Sequence, residues 1–185
     1  MATISREVHL IEYPEGLPDA SQFQIVETTV DDPATGEFLI QNQYMSVDPA
    51  MRPRLSNGQQ RLHQAMGAGT IGVVTASRHS AFAEGDVVQH GLGFREHVLS
   101  DGRGVNHLDA AGLSPTLYMH VLGPTGFTAW GGMLITGELK DGENVFVSAA
   151  AGAVGSVAAQ IARIKGCYVI GSAGSAEKCE WLENE

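Results

Sequence analysis

One stretch of the sequence decides the fold: Ser148-Ala149-Ala150-Ala151-Gly152-Ala153-Val154-Gly155-Ser156. It has the spacing of a dinucleotide-binding loop, with Ala150 in the first glycine place, Gly152 in the second and Gly155 in the third. Gly152 would let the backbone approach a diphosphate, and Gly155 would let the following helix pack closely on the preceding strand. The N-terminus of that helix then offers free N–H groups and a positive dipole end to the diphosphate.

The flanking segments favour this interpretation over a plain structural turn. Before the loop, Asn144-Val145-Phe146-Val147-Ser148-Ala149 is a short apolar strand of the kind that a parallel sheet buries on both faces. After it, apolar residues at helical spacing predict a helix over 154–165, ended by Gly166. Residues 167–171 predict a second strand, and Ser175 would cap a further helix. This order indicates the first part of a Rossmann domain.

The end of the second predicted strand indicates which dinucleotide is bound. An NAD site has an Asp or Glu about 20 residues beyond the loop, which binds the ribose 2′-hydroxyl. Here the stretch is Gly171-Ser172-Ala173-Gly174-Ser175, which contains no acid. Ser and Gly leave room for a 2′-phosphate, and Lys178 lies one turn into the next helix as its counter-charge. The sequence therefore favours NADP(H), although Lys178 taken alone is equally well explained as a solvated surface lysine.

The first hundred residues have the pattern of short strands separated by turns, which is typical of a small barrel or sandwich. The predicted strands cover residues 8–13, 23–30, 37–46, 67–76 and 86–90. Near Pro115 the character changes, and the apolar segment 117–133 predicts helices that Gly123-Pro124 must break or kink.

Three regions follow from these patterns. Residues 1–115 form a β-rich domain, 116–137 are linking helices, and 138–185 form the N-terminal part of a Rossmann domain. A complete Rossmann domain has about six strands. We therefore expect a truncated Rossmann domain and a chain that is a fragment of a longer protein.

Composition excludes several classes of protein. The formal net charge of −10 leaves no basic face for nucleic acid or for a membrane surface. No apolar run approaches the ~18 residues of a membrane-spanning helix, and the N-terminus lacks a secretory pattern. The two cysteines, Cys167 and Cys179, cannot form a disulfide framework, which favours a reducing cytoplasm. They also lack metal-ligand spacing, and the seven histidines are scattered, so we predict no metal.

Several segments, together with the loop, carry a resemblance to a known family. They are Tyr13-Pro14-Glu15-Gly16, Ser46-Val47-Asp48-Pro49-Ala50-Met51-Arg52, Ser77-Arg78-His79-Ser80-Ala81-Phe82, Leu122-Gly123-Pro124-Thr125-Gly126-Phe127-Thr128-Ala129-Trp130 and the run from Val147 to Gly166. They resemble the zinc-independent branch of the medium-chain dehydrogenase/reductase superfamily. This branch contains prostaglandin (leukotriene) reductases, plant double-bond reductases and curcumin-reductase-like NADPH oxidoreductases. The resemblance covers essentially the whole chain.

The resemblance implies a fold and an activity. The fold would be a GroES-like β-barrel followed by a Rossmann domain, with the active site between them. The activity would be hydride transfer from NADPH to the β-carbon of an α,β-unsaturated aldehyde or ketone, in a cytoplasmic homodimer. A quinone reductase, or a non-enzymatic nucleotide-binding protein of the same fold, remains an alternative.

The resemblance also implies roles for individual residues. Gly152, Ala153, Val154 and Gly155 would hold the diphosphate, Lys178 the 2′-phosphate, and Thr128 would lie near the nicotinamide or its ribose. Phe94 would line the substrate pocket, or would equally well belong to the barrel core. The catalytic residues are unknown and expected beyond residue 185.

The sequence departs from the superfamily at several positions. Zinc-dependent relatives carry a Cys in the segment matching 46–48 and Gly-His-Glu in place of Gly67-Ala68-Gly69, and neither ligand set is present here. Ala50 replaces the usual Tyr of the branch, so a substrate contact from that ring is lost or supplied elsewhere. Pro124 stands near the place where a Met often approaches the nicotinamide.

Overall fold

The computed structural model describes residues 2–184 and divides into two compact units, Met1–Gly112 and Leu113–Glu185. The first unit is built mainly of strands, and the second of helices around a parallel strand pair. This is the α/β class and the order of elements that the sequence predicts.

The described part of the first unit contains two antiparallel sheets. Its strands are β1 (Thr3–Leu10), β2 (Phe23–Val30), β3 (Phe38–Met45), β4 (Thr70–Ser77), β5 (Val87–His90), β6 (His97–Ser100) and β7 (Asn106–His107), with a short helix α1 (Met51–Arg54) after β3. β1 pairs with β2, and the other strands form a sheet in the order β6-β3-β4-β5-β7. The sequence pattern does not predict β6 and β7, which have four and two residues and follow β5 closely in the chain.

The two sheets are linked, but in residues 2–184 the strands do not close into a complete barrel. The Val8 N–H donates to the Phe94 carbonyl at 2.9 Å, and the Glu96 N–H donates to the Arg6 carbonyl at 3.0 Å. These bonds tie β1 to the segment before β6. The β-rich domain is confirmed, whereas the closed barrel that the resemblance implies is not formed by the pairing.

Two apolar cores stabilise the first unit. In one, the Phe38 ring stacks on Phe82 with centroids 4.3 Å apart, and Ile40 and Val88 are fully buried beside them. The other consists of Leu10, Met51, Leu55, Met66 and Ala68, with Phe94 packed against it.

The second unit begins with a helical segment that is broken where the sequence predicts. A short 3-10 helix over Pro115–Met119 is followed by α2 (Pro124–Trp130), which widens into a π-helical segment over Gly131–Thr136. Pro124 is the first residue of α2, a position where its missing N–H costs nothing. A Cβ on Gly123 would lie 2.1 Å from the Tyr118 carbonyl oxygen, so the chain can turn there only at glycine.

The predicted strand, helix and strand are confirmed as β8 (Asn144–Val147), α3 (Ala153–Ile164) and β9 (Tyr168–Gly171), followed by α4 (Ala176–Asn184). β8 and β9 are parallel. The sequence favours burial of β8 on both faces, and within residues 2–184 only one face is covered. Helix α3 covers one face, where Val147 packs with Val157 and Ala158. On the other face Phe146 is 67% and Ile170 52% exposed, because no element in the described residues covers them.

Candidate functional site

The loop after β8 ends at Gly152, which is the N-cap residue of α3. The Gly152 N–H donates to the Ala149 carbonyl at 2.8 Å, and the Gly152 carbonyl accepts from the Ser156 N–H at 2.9 Å. The N–H groups of residues 153–155 precede that first intrahelical bond, so they have no backbone acceptor inside α3. No side chain in the described part of the chain caps this helix. Free N–H groups and the helix dipole together make this end suited to an anion.

The two glycines of the loop have different surroundings. A Cβ on Gly155 would lie 2.4 Å from the Ala149 carbonyl oxygen and 3.0 Å from the Ala150 Cα, so Gly155 allows the helix to approach the end of the strand. A Cβ on Gly152 would meet a single atom, the Ala149 oxygen, at 3.0 Å. The fold therefore requires glycine at 155 far more than at 152. Gly152 is also a favoured N-cap residue, and a ligand beside it would give a second reason for glycine there.

Sequence reasoning missed the tight turn itself. The residue in the left-handed region is Ala149, with a φ of 49°, whereas the glycine spacing predicts the turn at its neighbour Ala150. Ala150 is instead 1% exposed and packed in the core of the second unit. Because left-handed residues are usually Gly, Asn or Asp, nothing in the sequence pointed to an alanine.

A cavity of about 400 Å³ opens beside the loop. Ser148, Ala149, Gly152, Val154 and Gly155 line it, with Met133, Phe146, Val147 and Ala158. The predicted diphosphate residues at 152, 154 and 155 thus share one cavity, and the cavity lies at the N-terminal end of α3.

The loop after β9 runs alongside the first one. The Ser172 N–H donates to the Val147 carbonyl, and the Ala150 N–H donates to the Ser172 carbonyl, each at 2.9 Å. Ser172, Gly174 and Ser175 are exposed. The carboxyl ends of both strands therefore present neighbouring loops, without an acid on the second.

Lys178 lies in the first turn of α4 with an exposed side chain. Its N–H donates to the Ser175 hydroxyl at 3.3 Å, which confirms the predicted helix cap. A role for its ammonium group in binding a phosphate stays a prediction.

Thr128 lies on α2, which packs against α3 through Ala129 and Val157. Its hydroxyl donates to the Pro124 carbonyl at 2.7 Å, and the residue is exposed. The hydroxyl oxygen keeps acceptor capacity for a ligand. Its assignment to the nicotinamide side stays a prediction.

Phe94 belongs to the first unit and lines an apolar cavity of about 340 Å³. Val8, Pro18, Phe23, Val47, Asp48, Met51, Arg52, Leu55 and Met66 complete its lining. The guanidinium of Arg52 is engaged by the Gly16 carbonyl and the Ser56 hydroxyl. Phe94 also packs against the core of Leu10 and Met66, so it is both a core residue and part of a cavity wall.

The turn that carries Phe94 contacts a buried histidine. His90 is 5% exposed, and its Nδ1 accepts a hydrogen bond from the Leu92 N–H at 3.1 Å. Burial, assisted by the charge of Arg95, lowers the pKa of His90 to about 4. The ring is therefore neutral near neutral pH.

The two segments in which zinc-dependent relatives carry ligands lie next to each other. The Ser46 N–H donates to the Gly69 carbonyl at 2.8 Å, and a Cβ on Gly69 would lie 3.0 Å from the Ser46 hydroxyl oxygen. That hydroxyl donates to Asp48 at 2.7 Å. Ala50, in place of the usual Tyr, is exposed at the start of α1.

Two features are absent from residues 2–184. No cluster of three or more His, Cys, Asp or Glu side chains could hold a metal ion. None of the helices described is both long and apolar enough to cross a membrane.

Comparison with known proteins shows which family the chain resembles. Residues 6–108 match the family model described as the N-terminal domain of oxidoreductase. The chain is 40% identical to prostaglandin reductase 1 of Rattus norvegicus, over 91% of this chain and 52% of the relative. It is 37% identical to NADPH-dependent curcumin reductase of Escherichia coli, over 92% and 51%. It is 31% identical to the NADP(+)-dependent 2-alkenal reductase of Nicotiana tabacum, over 98% and 56%.

A solved structure leads to the same family. CurA from Vibrio vulnificus in complex with NADPH superposes with a TM-score of 0.87 at 37% identity, covering 97% of this chain and 55% of that one. The chain therefore spans about half the length of the curated relatives it matches. These matches agree with the β-rich first unit and with the glycine loop before α3. The chain belongs to the zinc-independent branch of the medium-chain dehydrogenase/reductase superfamily.

Proposed function

We propose that this chain binds NADP(H) through its second unit, and that the whole protein reduces the carbon–carbon double bond of α,β-unsaturated aldehydes and ketones. The observation that carries the proposal is the uncapped N-terminus of α3, with Gly152 at its cap and a cavity beside it. The residues present fit a dinucleotide, because Gly152 leaves open the volume that a side chain would fill.

In this proposal each cofactor contact has its own residue. The N–H groups of residues 153–155 bind the diphosphate. The ammonium of Lys178 pairs with the 2′-phosphate, for which the acid-free loop at 172–175 leaves space. Thr128 contacts the nicotinamide or its ribose. The NADPH complex of the similar CurA structure supports this choice of cofactor.

The substrate half of the proposal rests on the apolar cavity at Phe94. Aromatic, aliphatic and thioether side chains line it, including Phe23, Met51 and Met66, which suits the hydrocarbon chain of an enal or enone. When bound, NADPH supplies the hydride that reduces the conjugated double bond. The names of the prostaglandin and 2-alkenal reductases support this substrate class.

The proposal also assigns regions and partners. Residues 1–115 serve the substrate, 116–137 link, and 138–185 belong to the NADP-binding domain. We further propose a cytoplasmic location, which the two free cysteines support, and a homodimer, which the family resemblance implies. Light scattering of the whole protein measures its oligomeric state, and a monomeric mass would contradict the dimer.

The activity is tested by NADPH oxidation in the whole protein, followed by absorbance with an alkenal, a medium-chain enone and a quinone in parallel. We expect turnover of the alkenal and the enone. Turnover of the quinone alone would replace the proposal with a quinone reductase. NADPH binding without any turnover would leave a non-enzymatic nucleotide-binding protein.

The cofactor site is tested by thermal melts with and without NADPH. Gly152→Val should abolish the stabilisation by NADPH, because the side chain fills the phosphate volume. The matched control is Gly132→Val, an exposed glycine of the same unit where a Cβ meets nothing within 4 Å. If Gly152→Val still gains stability from NADPH as the parent does, the loop is only a turn.

Independence from metal has a separate test. A catalytic zinc needs about three protein ligands and an open position. Elemental analysis should find substoichiometric zinc, and a chelator should leave the rate of NADPH oxidation unchanged. One tightly held zinc per chain would contradict the metal-free proposal.

A further inference from the structure

We propose that Asn42 is a positioning residue for the substrate, because its side-chain amide fixes the two carbonyls that flank Phe94 and so holds that ring in the cavity wall. The inference rests on the proposed function and deepens it, since it explains how the cavity selects an apolar chain. Asn42 itself is not among the described residues that line the cavity, so any effect on the ligand passes through Phe94.

The contacts of Asn42 converge on one turn. Its Nδ2 donates to the Arg95 carbonyl at 2.8 Å and to the Gly93 carbonyl at 3.3 Å. Its backbone N–H donates to the Glu96 carbonyl at 2.8 Å. The pairing of β3 with β4 shifts register just after Asn42, which marks a β-bulge at this point of the strand. Bulges commonly redirect side chains, and here the amide reaches both sides of Phe94.

His90 sets the orientation of the amide. Because its Nδ1 accepts from the Leu92 N–H, the ring proton lies on Nε2, which is 3.0 Å from Asn42 Oδ1. The Asn42 oxygen therefore accepts from the imidazole, and its nitrogen faces the two carbonyls. If the amide were rotated by half a turn, its NH₂ group would face the imidazole N–H and its oxygen would face the two carbonyl oxygens. The network has one arrangement that satisfies all of its members.

The turn has little freedom beyond these bonds. Gly93 has a φ of 73°, and a Cβ there would lie 1.9 Å from the Met66 carbonyl oxygen. Its N–H donates at 3.2 Å to the hydroxyl of Thr70, a fully buried residue. The Phe94 N–H donates to the Met66 carbonyl at 2.9 Å. From the sheet side, the side chains of Thr70 and His90 bind N–H groups of the turn, and Asn42 binds the two carbonyls that flank Phe94.

The experiment is a double-mutant cycle on the whole protein with Asn42→Ala, Phe94→Ala and both together. The readout is the Kd of a long-chain enone (a nonenone), measured by ligand-observed NMR without cofactor. Each single variant should raise this Kd about fivefold, the change that ~1 kcal/mol produces. The double variant should raise it no further, because Asn42 acts through Phe94. The Kd of NADPH should stay unchanged in all three.

Two further variants separate positioning from general stability. Asn42→Asp keeps an acceptor for His90 but removes the donor to the carbonyls, so it should behave as Asn42→Ala. Val74→Ala truncates a buried side chain in the core of Phe38 and Ile40, which is separate from the core beside Phe94. It should lower the melting temperature and leave the Kd of the enone unchanged.

The outcomes distinguish this inference from the proposed function. Independent, multiplying effects in the double variant, or an equal rise in Kd for Val74→Ala, would overturn the positioning role. Failure of the parent to bind the enone would overturn both this inference and the substrate half of the proposed function. The expected coupling without NADPH oxidation would support the positioning role and overturn the reductase alone.

Discussion

Replacing Gly155 with alanine should destabilise the second unit more than replacing Gly152. At Gly155 the new Cβ would lie 2.4 Å from the Ala149 oxygen and 3.0 Å from both the Ala149 carbonyl carbon and the Ala150 Cα. All three atoms are backbone, so none can rotate away, and the helix must move from the strand by several tenths of an ångström. At Gly152 a single contact of 3.0 Å and an extended φ of −81° make alanine nearly acceptable.

The magnitude follows from these contacts. Overpacking of this kind costs about 1–3 kcal/mol, and rigid backbone neighbours place Gly155→Ala at the upper end. Gly152→Ala should cost less than about 1 kcal/mol, chiefly through a poorer N-cap residue. Since each kcal/mol shifts the Tm by about 2–4 °C in a chain of this size, the two variants should differ by several degrees.

The assay is thermal unfolding by circular dichroism, with denaturant titration as a second measure of the free energy of unfolding. Equal Tm values for the two variants would refute the reasoning, because they would show that α3 does not press on the end of β8 at Gly155. A Gly152→Ala protein that is the less stable of the two would refute it more strongly.

Three further predictions follow from other parts of the molecule. His90 is neutral in the fold, with its pKa lowered by burial and by Arg95 to about 4, against an ordinary value of 6.5. Only the unfolded chain gains a proton there between pH 6.5 and 4, so the free energy of unfolding should fall by up to about 3 kcal/mol across this window. Denaturant titrations at each pH measure it, and a profile as steep in His90→Asn would contradict the assignment. Gly93→Ala should lower the free energy of unfolding, measured with denaturant, by about 3 kcal/mol. Gly85 also has a positive φ, but a Cβ there meets nothing within 4 Å, so Gly85→Ala should lower it by only about 1–2 kcal/mol. Equal losses in the two variants would refute the close approach at Gly93. Lys178→Ala should reduce the binding free energy of NADPH, measured by calorimetry, by about 1.5–3 kcal/mol and leave that of NADH nearly unchanged. An equal loss for both cofactors would contradict a contact between Lys178 and the 2′-phosphate.

The sequence predicts the part of the fold that depends on short-range patterns. The glycine spacing at 152 and 155, the apolar period of α3 and the Gly123-Pro124 break each act within a few residues, and each appears where it is expected. Such features depend on local backbone geometry, which a single sequence records.

Contacts between residues that are far apart in the chain cannot be predicted from the sequence pattern. The hydrogen bonds from Asn42 to residues more than 50 positions away leave no spacing signal. Ala149 has a left-handed φ of 49°, against the preference of alanine, at the point where Gly155 of α3 lies against its carbonyl. Apolar character favours burial of β8 but cannot say which elements cover its two faces, and Phe146 is exposed within residues 2–184.

The contact between Ser46 and Gly69 indicates how related proteins with one fold can differ in their chemistry. Their backbones are joined by a hydrogen bond of 2.8 Å, and this bond does not depend on either side chain. A Cβ on Gly69 would point at the Ser46 hydroxyl from 3.0 Å, so two side chains placed here would meet whatever their chemistry. The fold thus holds the segments 46–48 and 67–69 side by side through backbone bonds, and the residues that occupy these segments decide whether metal ligands are present. Divergence between the zinc-dependent and zinc-independent relatives would then require exchange of a few side chains, with no rebuilding of the sheet.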